Sequence, residues 1–162
     1  MSWSSGSHYS CAFNLDEMRK FCMNAGDELK RFSDSKKCDI VFIYSGMSGV
    51  ATATALSHIL YFEYSILAHM VYVRKRFEDT HGNTFVEYSK NKNVYSKYAI
   101  FFVDDLIDSG ETRKRSLRTA FDWAPIFAGM NKKVNQHKDI GNILLEECSG
   151  GSLGYPRKCF KL

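Results

Sequence analysis

The chain has 162 residues, 44% of them hydrophobic and 25% charged, and carries a formal net charge of +4. That is long enough for one domain with a real core, and the ordinary mix of apolar and charged residues excludes a disordered or fibrous protein. Only two prolines and no low-complexity run give no sign of a linker or second domain, and five cysteines without any CxxC pair argue against a disulfide framework or a zinc site.

The scattered cysteines (Cys11, Cys22, Cys38, Cys148 and Cys159) fit reduced thiols in the cytoplasm. The mild positive charge suits a small anionic substrate and lends little support to a nucleic-acid role. Residues 1–8 are rich in Ser and Gly, with no basic head and apolar run of a signal peptide.

Residues 14–32 predict a helix, because Leu15, Met18, Phe21, Cys22, Ala25 and Leu29 recur at three- and four-residue spacing. Asn14 is placed to cap it, with Glu17 completing a capping box. DIVFIY, residues 39–44, is the first strand. It runs into Ser45, Gly46, Met47, Ser48 and Gly49, small residues ahead of a helix over 50–61. A small-residue turn between a buried strand and a helix makes a nest for an anion. A second strand spans 66–73 and ends in Arg74, Lys75 and Arg76. The apolar span 56–73 is broken by His58, Glu63 and His69, so it does not read as a membrane helix. Residues 75–95 turn polar and predict a loop or hairpin, a length that in a compact domain is usually either functional or disordered.

The most informative stretch is AIFFVDDLIDSGET, residues 99–112. Five uncharged residues of central-strand type end at Asp104 and Asp105, and Ser109, Gly110 and Thr112 follow just before a helix over 112–123. Two carboxylates at a strand end can accept hydrogen bonds from a sugar diol or hold a divalent cation. Gly110 permits close backbone approach, the hydroxyls donate, and the opening turn of a helix presents unpaired N–H groups to a phosphate. The pair of features matches a ribose 5-phosphate better than a triphosphate, and neither GxxxxGK[ST] nor GxGxxG occurs. In the helix that follows, Leu117, Ala120 and Phe121 should face inward and Arg113, Lys114, Arg115 and Arg118 outward. Residues 125–130 predict a strand, and ILLEEC, residues 143–148, is apolar enough for another.

VDDLIDSGET resembles the diphosphate-sugar signature of type I phosphoribosyltransferases over about ten positions. YSGMSGVATATAL is similar to the orotate-type version of that family's pyrophosphate loop, although Ser45 stands where family loops often carry Lys or Arg. The run from Arg74 and Lys75 to His81 and Gly82 resembles the orotate-type mobile catalytic loop, with one extra residue and with Glu78 and Asp79 where basic residues are usual. The resemblance covers roughly residues 39–130.

It implies an α/β fold of three layers, a mostly parallel twisted sheet flanked by helices, with a small hood from the terminal segments. The whole chain, 1–162, would be a single domain of this kind. It also implies transfer of ribose 5-phosphate from phosphoribosyl diphosphate to a nucleobase, with release of magnesium pyrophosphate, in a cytoplasmic homodimer. Asp104 and Asp105 would hold the ribose hydroxyls and Mg2+, and Asp108 would take the proton of the attacking base. Ser109, Gly110, Glu111 and Thr112 would hold the 5-phosphate. Ser45, Gly46, Met47, Ser48 and Gly49 would cradle the diphosphate, with Arg74, Lys75 and His81 closing over it. Tyr155 and Phe160 could stack on the base. The acceptor stays open between orotate, favoured by the loops, and a purine, favoured by Asp108. A non-catalytic regulator, or a protein using the basic helix face on nucleic acid, is the alternative.

Overall fold

The computed structural model describes residues 15–75, 84–89, 91–104, 110–128 and 141–144. Helix α1 (Leu15–Lys36) leads into strand β1 (Asp39–Tyr44), helix α2 (Gly46–Tyr64) and strands β2 (His69–Val73), β3 (Val86–Ser89) and β4 (Tyr98–Asp104). Helix α3 (Glu111–Trp123), a 3-10 turn (Pro125–Phe127) and strand β5 (Gly141–Leu144) follow.

The five strands form one sheet in the order β3-β2-β1-β4-β5. β1 pairs in parallel with β2 and β4, and β4 with β5; only β3 is antiparallel, on β2. β1 and β4 are buried at every position because helices cover both faces, and this explains their unbroken apolar runs. Alternate residues go to opposite sides. Ile40, Phe42, Phe101 and Val103 pack with α1 and α2, while Val41, Ile43, Ile100 and Phe102 pack with Leu117 and Ala120 of α3. The fold is therefore α/β, with a mostly parallel sheet between two helical layers.

Several boundaries differ from expectation for identifiable reasons. α1 runs four residues beyond the expected end, to Lys36. α2 begins at Gly46 rather than Val50, because Gly46 takes a φ of +74° and turns the chain straight from the strand end into the helix. The same helix continues to Tyr64, where Ser65 in the left-handed region closes it, so β2 starts at His69 instead of Ile66. The strand expected over 125–130 is replaced by the 3-10 turn: Pro125 has no N–H to give a ladder, and Ile126 and Phe127 are buried beneath α3. β5 includes Ile143 and Leu144 of ILLEEC but begins earlier, at Gly141. The polar span after Lys75 does contain a hairpin strand, β3. On α3, Arg113 and Arg115 are half-buried instead of outward, while Lys114 and Arg118 are exposed. Asn14, the side chain of Glu17 and the hood residues Tyr155 and Phe160 lie outside the described residues.

At the opposite end of the sheet from the candidate site, Asp39 accepts the backbone N–H groups of Val94 and Tyr95 at 3.0–3.2 Å. Its carboxylate also lies 3.8 Å from Nε2 of the fully buried His69, whose Nδ1 accepts the N–H of Asn91. These bonds tie the segment after β3 to the starts of β1 and β2. Their role is structural.

Candidate functional site

The strand order reverses between β1 and β4: the chain runs outward through β2 and β3 on one side and through β5 on the other. At such a point the two following connections diverge and leave a crevice beyond the carboxyl ends of the strands. Ser45–Gly49, Arg74–Lys75 and Asp104 all lie at carboxyl ends of parallel strands, so the topology brings them to one edge.

The first turn of α2 forms one wall. Ser45 is its N-cap residue with extended backbone, yet its side chain makes no capping bond, and its hydroxyl is buried without a hydrogen-bond partner among the described residues. The Ser45 side chain thus leaves the first N–H groups of the helix uncapped, at the positive end of the helix dipole. Gly49 presses this turn onto β4. A Cβ there would sit 3.2 Å from the Val103 carbonyl oxygen and 3.9 Å from Asp104 Oδ1. Ser48 Oγ stands 3.5 Å from the same Oδ1. Asp104 is 8% exposed, so its carboxylate is held at the crevice floor rather than out in solvent.

Lys75 supplies the positive charge that the loop itself lacks. Its side-chain end lies over Gly46, where an added Cβ would meet Cε at 2.7 Å and Nζ at 3.0 Å. Only a residue without a side chain at position 46 lets the ammonium come this near the helix start. Arg74 is placed differently. Its guanidinium pairs with Glu87 of β3. Beside it the rings of Tyr44 and Tyr72, opposite each other in register, are 5.7 Å apart, and burial, with the Glu87 charge adding to it, pushes the Tyr44 hydroxyl above its ordinary value. The Tyr44–Tyr72–Glu87 cluster was not foreseen from the sequence. Its signal is cross-strand register, which a single strand does not carry.

Gly110 caps α3 in the left-handed region, with φ of 76°, and its carbonyl accepts the Lys114 N–H at 2.9 Å. Glu111 and Thr112 open the helix and are exposed; Glu111 pairs with Lys114 at 2.9 Å. Gly110 thus makes the bend that opens α3, a conformation that favours glycine. Met47 is exposed beside the α2 turn. Asp105, Asp108, Ser109 and His81 lie outside the described residues. Arg113 is half-buried, and that burial holds its guanidinium below the usual value.

No protein-family model and no curated protein matches this chain. Similar solved structures include hypoxanthine phosphoribosyltransferase from Trypanosoma cruzi in complex with the product IMP, at 13% identity and a TM-score of 0.46, covering 66% of this chain and 60% of that one. Orotate phosphoribosyltransferase from Francisella tularensis is similar at 15% identity and a TM-score of 0.41, covering 63% of this chain and 46% of that one. The chain thus spans less than two thirds of the length of either enzyme.

Proposed function

We propose that this protein is a phosphoribosyltransferase that moves ribose 5-phosphate from phosphoribosyl diphosphate to a ring nitrogen of a nucleobase. The observation that carries the reading is the meeting of three separate chain segments at the point of strand-order reversal: the Ser45–Gly49 turn, Lys75 over Gly46, and Asp104 beside Ser48. The sequence singles out the first two for the diphosphate and the third for the ribose hydroxyls of one substrate.

In the reaction the bond from the anomeric carbon to the diphosphate oxygen breaks, and a bond from that carbon to the base nitrogen forms. Pyrophosphate leaves with the bonding electron pair. The sugar becomes cationic and the leaving group anionic, so fixed charges aimed at both contribute most of the acceleration. The α2 turn and Lys75 meet the diphosphate. Asp104 and Asp105 hold the ribose hydroxyls, and Ser109, Gly110, Glu111 and Thr112 hold the 5-phosphate through the start of α3. His81 closes over the diphosphate, and Asp108 takes the proton of the attacking base.

The donor set suits Mg2+. No group of three or more His, Cys, Asp or Glu side chains able to hold a metal occurs among the described residues. Mg2+, however, keeps its waters and is usually held by one or two carboxylates plus substrate phosphates, as a pair like Asp104 and Asp105 allows. When bound, it supplies charge neutralisation on the departing diphosphate. The enzyme acts in the cytoplasm as a homodimer; the scattered cysteines, without any CxxC pair, support the compartment. No helix among the described residues is long and apolar enough to cross a membrane.

The test is pyrophosphate release in the presence of phosphoribosyl diphosphate, Mg2+ and, in turn, orotate, hypoxanthine, guanine, adenine and uracil. Release with one base, together with formation of the matching nucleotide, is the expected result. Binding of the sugar diphosphate without turnover on any base would overturn the catalytic reading in favour of a sensor.

A further inference from the structure

Two cations stand side by side after β2, and the fold sends them opposite ways. Lys75 turns toward the end of β1, where its Nζ comes within 3.0 Å of the Cβ that Gly46 lacks. Arg74 turns toward β3. Its backbone N–H donates to the Phe85 carbonyl at 3.1 Å, and its guanidinium pairs with the Glu87 carboxylate. The strand register explains that pairing. Tyr72 lies opposite Glu87, so Arg74, two residues further on, is the diagonal neighbour of Glu87, within reach of a long side chain. Tyr72 in turn lies opposite Tyr44, and both rings pack on the side of the sheet that α2 covers. The order β3-β2-β1 therefore leaves Arg74 between a carboxylate on one flank and the start of α2 on the other.

We infer that Glu87 is a positioning residue that holds Arg74 off the α2 turn, and that a diphosphate seated on the turn draws the guanidinium across. The inference rests on the diphosphate reading of that turn. Reach permits the exchange, since the adjoining Lys75 already spans the gap from the end of β2 to Gly46. The Glu87 carboxylate is close to the same turn. Its charge adds to burial in pushing up the hydroxyl of Tyr44, the residue before Ser45.

Relative strength decides the direction. Glu87 is 56% exposed, so water screens its pair with Arg74, and such a pair shifts an equilibrium by at most about fivefold. A diphosphate offers the planar guanidinium several oxygens and two-bonded contact, which is the stronger interaction. The ligand wins, and Glu87 weakens its binding by the amount that the broken pair was worth.

Titration calorimetry of the full chain with inorganic pyrophosphate and Mg2+ tests this. Glu87→Gln keeps the size of the side chain at an exposed position and should tighten binding about two- to fivefold. Damage to the fold does not tighten binding, so a gain separates positioning from a merely structural role. Arg74→Gln should weaken binding at least about threefold, because the lost phosphate contact exceeds the lost pair. In that background Glu87→Gln should have no further effect. A parent chain that binds, with Glu87→Gln binding equally or more weakly, would overturn the inference alone. So would a gain of the same size in the Arg74→Gln background, which would show Glu87 acting on the ligand and not through Arg74. Absence of binding in both the parent chain and Glu87→Gln would overturn the diphosphate reading, and the inference with it.

Discussion

Gly46→Ala tests whether the α2 turn and Lys75 act as one diphosphate cradle. The substitution has two separable costs. A residue with a Cβ at φ of +74° is strained by about 1–2 kcal/mol, and the lower entropy of the unfolded chain returns about 0.4–1 kcal/mol of it. Net destabilisation should therefore be about 1 kcal/mol, too small to unfold the protein. The second cost falls on Lys75, whose Cε must retreat by at least about 0.7 Å, the gap between 2.7 Å and the 3.4 Å at which ordinary contact begins. A flexible side chain moves that far with little loss of stability, but its ammonium leaves the helix start. A charge-assisted contact to a phosphate oxygen is worth about 1.5–3 kcal/mol, so affinity for phosphoribosyl diphosphate should fall about 10- to 150-fold. Titration calorimetry on the parent chain, Gly46→Ala, Lys75→Ala and the double variant reads this directly. Because both single changes remove the same contact, the double variant should bind no worse than Lys75→Ala. Unchanged affinity in Gly46→Ala, or losses that add in the double variant, would refute the shared cradle.

Other perturbations separate chemistry from architecture. Asp105→Asn should lower turnover at least tenfold while leaving thermal stability intact; equal rates would remove the residue from the site. Gly26→Ala should destabilise by about 1–2 kcal/mol, although alanine is the better helix former, since a Cβ on α1 would stand 2.6 Å from the Tyr64 ring of α2. In a Tyr64→Ala background the same change should become stabilising, and denaturant titration of the four proteins decides it. Asp39→Ala should cost about 2–4 kcal/mol by leaving the Val94 and Tyr95 N–H groups without their acceptor, with little effect on the Michaelis constant for phosphoribosyl diphosphate. The Asp27 carboxylate that accepts the Tyr64 hydroxyl at 2.6 Å, with burial adding to it, pushes that hydroxyl up to about 12. A raised folded value favours the protonated phenol. The stability gap between parent and Tyr64→Phe should hold up to about pH 10, the unfolded value, and close as pH approaches about 12. A gap that widened with alkali would contradict the bond.

Nearest-neighbour chemistry along the chain was enough to identify β1, β4 and the helical character of α1, α2 and α3. Uninterrupted apolar runs are what a strand covered on both faces demands, and three- and four-residue spacing is what a one-sided helix demands. Asp104 at the end of β4 and the Gly110 bend before α3 could be read in the same way, because residue type and order along one segment carry that information. What a linear reading does not contain is which segments become neighbours. Only the sheet order puts the α2 turn beside Asp104, brings Lys75 over Gly46, and turns Arg74 aside to Glu87, since strand pairing joins residues far apart in sequence. The element boundaries were decided there too. Gly46 and Ser65 stretch α2 at both ends through left-handed backbone, and Ile126 and Phe127 fold under α3, because burying them against the sheet outweighs the weak strand preference of their own neighbourhood.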